Sequence, residues 1–188
     1  MGTNLKLSRR WLTRTSVALV TLVAALVGVA QSPAAAASLG PYQIFPASPD
    51  PVKCLDVPNG STDNGESIII YTCDRLKENQ QWYFDEVSTG VWEIRNRETN
   101  KCMVVKGAST ASGAAIIQYT CNGTSNSWWR TDYVRDAGGG LGWYKIRNAK
   151  SNLCIAVKGA GTANKTTLVQ YACNGTLNGQ FTWNYPFP

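Results

Sequence analysis

The residues best suited to covalent chemistry are the six cysteines. They fall into three pairs, Cys54 and Cys73, Cys102 and Cys121, Cys154 and Cys173, each separated by 19 residues. Six cysteines allow fifteen disulfide connectivities. Only pairing within each equal spacing respects the repetition, and each such bridge would close a loop of roughly 20 residues, worth on the order of 3 kcal/mol in the chain-entropy model. The rival chemistry is metal ligation. The chain has no histidine and no CxxC pair, so a zinc site is disfavoured, and no metal or other cofactor is expected. The missing histidine also rules out a Ser-His-Asp triad. A glycosidase would need two carboxylates about 5–10 Å apart across a scissile bond. The twelve acids form no D-x-E or E-x-D constellation, and Asp85-Glu86 reads as a loop. The chain is therefore not expected to be an enzyme.

The cysteine spacing reflects a longer repetition. Lys101 to Trp129 returns at Leu153 to Phe181 with 14 of 29 aligned positions identical, and an earlier copy runs from Lys53 to Trp82 with one extra residue after its second cysteine. The repeats occupy about 40–86, 87–136 and 137–188. A supersecondary unit of this length cannot bury its apolar face alone, so neighbouring copies must share a core. Each copy contains a β-branched or aromatic run, Ser67–Cys73, Ala115–Cys121 and Thr167–Cys173, bounded by Asn-Gly or Gly, which reads as a short strand. Val91–Asn96 and Gly142–Asn148 alternate in polarity like half-buried strands. Asp136–Gly142 reads as a flexible turn. No helix is expected after residue 37. Each copy ends in a large apolar residue, Trp82, Trp129 or Phe181, expected to meet in one core. The fold class is thus all-β, three repeats closed about a pseudo-threefold axis, with closure removing exposed sheet edges.

Residues 1–37 read as a secretion signal that is removed. Lys6, Arg9, Arg10 and Arg14 precede the apolar run Val17–Ala30, and Ala35-Ala36-Ala37 fits a cleavage site. Ser8–Leu12 partly resembles a twin-arginine signal, although the general secretory route suits the layout better. The run is short for a bilayer span, so a secreted, extracellular protein with no membrane span is expected, in keeping with a disulfide framework. The domain would be 38–188. The four signal charges leave a net of +2 from 14 bases and 12 acids, which gives no reason to expect a nucleic-acid partner. The charge is uneven. Residues 38–86 hold eight acids and three bases, and residues 137–188 hold five bases and no acid.

The pattern C-L-x-V, a turn, a strand ending in aromatic-x-C, then N-x-x-W resembles the ricin-type (R-type) lectin repeat, in particular the carbohydrate-binding domains of secreted bacterial proteins. It covers nearly all of 38–188. Asn79-Gln80-Gln81-Trp82 reproduces the Q-x-W signature, whereas Asn126–Trp129 and Asn178–Phe181 are degraded copies. The resemblance implies a β-trefoil of twelve strands, one disulfide per repeat, and up to three shallow sugar pockets. It implies a glycan or polysaccharide partner and no catalysis. The alternative is a protein-binding trefoil, such as a protease inhibitor or toxin-like effector, working through Asp74–Glu78 or Asp136–Gly142. A monomer is the default.

A sugar offers adjacent hydroxyls and an apolar C–H face, so it suits a carboxylate or amide acceptor beside an aromatic plate. The resemblance places these at Asp56, Tyr71, Asn79 and Gln80 in the first repeat. The second keeps Tyr119 and Asn126, with Val104 and Ser127 at the other two places. The third keeps Tyr171 and Asn178, with Ala156 and Gly179. Losing the carboxylate removes a charge-assisted acceptor, so the first pocket ranks above the others. Two departures stand against this. The family often has a glutamine four residues before the second cysteine, where this chain has Ile69, Ile117 and Val169. Gln118 and Gln170 lie one place later, on the opposite strand face. The extra residue before Asn79 could also displace it. Asp56 could instead cap the turn at Pro58-Asn59-Gly60, Tyr71 could be a half-buried strand end, and Asn79 could bond its own loop. Lys106 and Lys158 read as solvated turn charges.

Overall fold

Alternation along the short strands sets which side chains turn inward. The computed structural model describes residues 1–2, 37–47 and 52–184, and the chain divides into units 1–34 and 35–188. The signal segment expected over 1–37 lies almost wholly outside the described residues. In the second unit, β1 (Ser38–Pro46), β2 (Lys53–Asp56), β3 (Ile69–Thr72) and β4 (Gln81–Ser88) belong to the first repeat. β5 (Val91–Asn96), β6 (Cys102–Val105), β7 (Ile116–Tyr119) and β8 (Trp128–Gly138) belong to the second. β9 (Leu141–Asn148), β10 (Cys154–Val157), β11 (Thr166–Tyr171) and β12 (Phe181–Asn184) belong to the third. Six short 3-10 turns join them, and the described residues contain no α-helix.

Six strands close a barrel: β1 pairs with β4, β4 with β5, β5 with β8, β8 with β9, β9 with β12, and β12 returns to β1, all antiparallel. The other six form three hairpins, β2–β3, β6–β7 and β10–β11. The hairpins meet through three equivalent pairings, Thr167 with Ile69, Ser67 with Ile117, and Ala115 with Val169. This is the β-trefoil, with its pseudo-threefold axis at the hairpin triangle. The disulfides are Cys54–Cys73, Cys102–Cys121 and Cys154–Cys173, one inside each repeat.

In β2, Leu55 faces the core, and Val57 follows it just past the strand end, while Cys54 and Asp56 face the other way. Directly opposite on β3, Ile70 is inward, and Ile69 and Tyr71 are outward. Trp82, Trp129 and Phe181 are fully buried in one shared core. The two tryptophans also donate Nε1 to Leu55 O (3.2 Å) and Met103 O (2.9 Å). Phenylalanine cannot make this bond in the third repeat.

Gln118 and Gln170 are fully buried and act between repeats. Gln118 donates to Ser61 O and Asp63 O in the first repeat and accepts from Thr99 Oγ1 (2.8 Å). Gln170 donates to Ser109 O and Ala111 O in the second repeat and accepts from Ser151 Oγ (2.7 Å). Their opposite-face placement is as expected, and it makes them latches between repeats. Ile70 stands at the matching place in the first repeat. There Asn164 does the joining, accepting from Thr72 N and Lys53 Nζ.

One expected loop is strand, and one expected turn is present but is tight where a flexible one was expected. Asp136–Gly142 forms the end of the β8–β9 hairpin, with Asp136 opposite Gly142 and Gly138 opposite Leu141. Gly138, Gly139 and Gly140 all have positive φ, so the glycines serve a tight reversal instead of a flexible segment. Asp85-Glu86 lies within β4, where Asp85 pairs with Arg95 across to β5 at 2.6 Å.

Candidate functional site

Asp56 ends β2 on the face opposite the core, across from Ile69. It is 5% exposed, a depth at which a carboxylate needs partners. The 3-10 turn Glu78–Gln80 brings Gln80 over it. Gln80 Nε2 donates to Asp56 Oδ2 (2.8 Å) and to Thr72 O (3.0 Å), and Gln80 Oε1 accepts from Asp74 N (2.8 Å). Gln80 is therefore occupied on both sides and holds the carboxylate in place. Among the described residues Asp56 makes no hydrogen bond to the Pro58–Gly60 turn. The backbone closes that turn itself, through Gly60 N to Val57 O and Ser61 N to Pro58 O. Burial pushes the Asp56 pKa above its ordinary 3.8, and hydrogen bonds from Gln80 and Asn79 work against that shift. Of the nearby charges, Glu98 raises it and Lys77 lowers it.

Asn79 has a scaffolding task. Its Nδ2 donates to Val57 O (2.8 Å), and Asn126 and Asn178 make the same bond to Val105 O (3.3 Å) and Val157 O (2.9 Å). The three asparagines clamp the three equivalent turns, and the extra residue in the first repeat does not displace Asn79. Tyr71, Tyr119 and Tyr171 are also equivalent, and all are open to solvent at 39%, 43% and 50% exposure. Tyr71 borders an open depression of about 590 Å³ lined by Gln43, Thr72, Cys73, Asp74 and Arg75. The four first-repeat residues thus divide. Asp56, Asn79 and Gln80 form one hydrogen-bonded group, and Tyr71, on the same hairpin face as Asp56, is the wall of the neighbouring hollow.

The other two repeats lack that group. Val104 packs with Cys102 and Ile117 in a small apolar cluster that also takes in Ala115 and Cys121. Ser127 donates to Glu93 Oε1 (2.6 Å). Glu93, Cys102 and Cys121 offer ligand atoms within 4.8 Å of one another, but both sulfurs belong to a disulfide and provide no thiolate. Ala156 and Gly179 leave the third repeat with neither carboxylate nor amide at these places. Lys106 and Lys158 are exposed, as expected.

Sequence reasoning missed Asn96 and Asn148. Both are fully buried. Asn96 Nδ2 donates to Asn79 O (3.0 Å) and Gln81 O (3.3 Å), and Asn148 Nδ2 to Asn126 O (3.0 Å) and Trp128 O (3.3 Å). They fix the segment that carries Gln80 and its counterparts. The available signal was the repeated Ile-Arg-Asn that ends β5 and β9.

A closed six-stranded barrel capped by three hairpins defines a β-trefoil of three repeats. A family model described as ricin-type beta-trefoil lectin domain-like matches residues 78–171 and 125–185, and the chain belongs to that family. It is similar to a designed threefold-symmetric protein, ThreeFoil, at 32% identity over 76% of this chain and 96% of that one, with a TM-score of 0.67. It is also similar to an exo-beta-1,3-galactanase from Clostridium thermocellum, at 31% identity and a TM-score of 0.67. That match covers 77% of this chain and 30% of the galactanase. The Rhizoctonia solani agglutinin, at 19% identity over 79% and 94% of the two chains with a TM-score of 0.62, shares the fold. No curated protein matches the chain.

Proposed function

We propose that the protein is a secreted carbohydrate-binding protein that holds glycans or polysaccharide without chemistry of its own, chiefly through its first repeat. The observation that carries this reading is the Asp56–Gln80 pair beside exposed Tyr71, which the first repeat alone possesses. A carboxylate fixed by an amide is a preorganised acceptor for sugar hydroxyls, and the tyrosine ring suits the apolar C–H face. The ricin-type family membership supports the same reading, and so does the likeness to agglutinin and lectin folds. A glycan array on the secreted form, followed by calorimetry, tests it. Asp56→Ala should lower affinity by roughly 1.5–3 kcal/mol, the scale of a hydrogen bond to a charged group. Tyr119→Ala and Tyr171→Ala should do far less. Equal losses at all three would overturn the first-repeat assignment.

One feature favours a protein partner instead. Leu76, in the Asp74–Glu78 loop, is 84% exposed. A partner that free sugar fails to displace and that Leu76→Ser releases would support that reading.

A further inference from the structure

The turn after β2 differs between repeats at one position. Gly60, Ala108 and Ala160 are equivalent, and all take left-handed φ, at 63°, 51° and 52°. The second and third repeats therefore carry a Cβ in a conformation that usually selects glycine. In the first repeat the space is used differently. A Cβ on Gly60 would lie 2.3 Å from Glu98 Oε1 and 2.7 Å from its Cδ, so the Glu98 carboxylate sits where the alanine methyls sit elsewhere. Glu98 comes from the second repeat, just past β5. Its counterpart is Lys150: Glu98 N donates to Asn96 Oδ1 (3.1 Å) and Lys150 N to Asn148 Oδ1 (3.0 Å).

We propose that Glu98 completes the first repeat's saccharide site from across the repeat boundary and makes that site select neutral over anionic sugars. This rests on the first-repeat reading above. Among the described residues the Glu98 carboxylate has no hydrogen bond or ion pair, so its acceptor capacity is unspent. It is exposed and lies against the turn that directly follows Asp56. Its charge is felt at the Asp56 carboxyl. The departures from threefold symmetry go together. The first repeat's turn is met by Asp56, Gly60 and Gln80 of its own repeat and by Glu98 of the second, and the second repeat's turn by Val104, Ala108 and Ser127 of its own and by Lys150 of the third. Two carboxylates, one ending β2 and one against the turn that follows it, accept from neutral hydroxyls and repel a uronate.

The test compares methyl β-galactoside and methyl β-glucoside with the corresponding methyl uronides, measured by calorimetry or NMR titration. The parent should prefer the neutral member. Glu98→Gln should narrow that preference by about tenfold, the scale of one charge–charge interaction at a protein surface. Gly60→Ala should do the same by pushing the carboxylate aside, and Ala108 and Ala160 show that the turn tolerates the methyl. Glu98→Lys should reverse the preference. If Asp56→Asn abolishes neutral binding while Glu98→Gln and Gly60→Ala leave the preference within twofold, the inference is wrong and the first-repeat reading stands. If no neutral glycoside binds in an Asp56-dependent way, the first-repeat reading itself fails and takes the inference with it.

Discussion

Replacing Gln80 by alanine removes the side chain that holds Asp56, and the structure sets the size of the loss. Gln80 makes three hydrogen bonds, to Asp56 Oδ2, to Thr72 O and from Asp74 N. The bonds to Thr72 O and from Asp74 N are neutral and only part-buried, so they contribute less net than a bond to a charge. The bond to Asp56 is different, because the carboxylate is buried and keeps only the Asn79 amide as a side-chain donor. A hydrogen bond to a charged group contributes about 1.5–3 kcal/mol, and emptying a buried side-chain volume adds about 1 kcal/mol. The expected destabilisation is therefore about 2–4 kcal/mol. For a domain of this size that is a fall in Tm of roughly 5–15 °C. Gly179 stands at this place in the third repeat, so the backbone tolerates the truncation. Urea unfolding of the parent, Gln80→Ala, Asp56→Asn and the double variant completes a double-mutant cycle. The coupling should exceed about 1 kcal/mol at pH 7 and shrink as Asp56 becomes protonated. Saccharide affinity should fall in Gln80→Ala, although the side chain has no free polar atom for a sugar, because Asp56 loses its orientation. A coupling below about 0.5 kcal/mol at pH 7 would refute the claim that Gln80 positions Asp56.

Burial raises the Asp56 pKa above 3.8 in the folded protein, so the folded chain takes up this proton more readily than the unfolded chain. Relative to Asp56→Asn, the parent should therefore gain stability as pH falls through the folded pKa toward 3.8. Neutral-sugar binding should weaken over the same window, and paired unfolding and binding series across pH check both. Gln118→Ala and Gln170→Ala each break a buried latch between repeats and should cost about 2–4 kcal/mol in urea unfolding. Trp82→Phe copies Phe181 and loses the bond to Leu55 O together with part of the buried ring volume, so it should cost about 1–3 kcal/mol, below the cost of Trp82→Ala.

Much of the fold was legible because it is repeated. Equal cysteine spacing, the run before each second cysteine and the terminal Trp82, Trp129 and Phe181 all state the same unit three times, and local patterning suffices to read them. The pairing of Asp56 with Gln80 was partly legible through the Q-x-W signature. The role of Asn79 was not. An amide can serve a turn or a ligand with equal chemistry, and only the matching bonds of Asn126 and Asn178 show that the turn is served. The glycines of Asp136–Gly142 misled because the same φ freedom suits a loose loop and a tight hairpin. Contacts between repeats were hardest to see. Gln118 reaches a loop more than fifty residues away, and Glu98 depends on an absent methyl at Gly60. Neither has a signature within its own repeat.

The structure turns those silent contacts into a rule for this chain. Positions that keep the threefold pattern build the frame: Asn79, Asn126 and Asn178 clamp the turns, and Asp74, Asn122 and Asn174 accept from the backbone two residues on. Four departures from it gather at one place. Asp56, Gly60, Gln80 and Glu98 surround a single turn of the first repeat, and their counterparts are apolar, small or oppositely charged. A buried carboxylate costs free energy wherever it stands, so a frame needing only stability would place Val104 or Ala156 there in every repeat. The first repeat carries that cost together with the amide that offsets it, and this is the physical reason to look for the ligand at Asp56 before either of the other two turns.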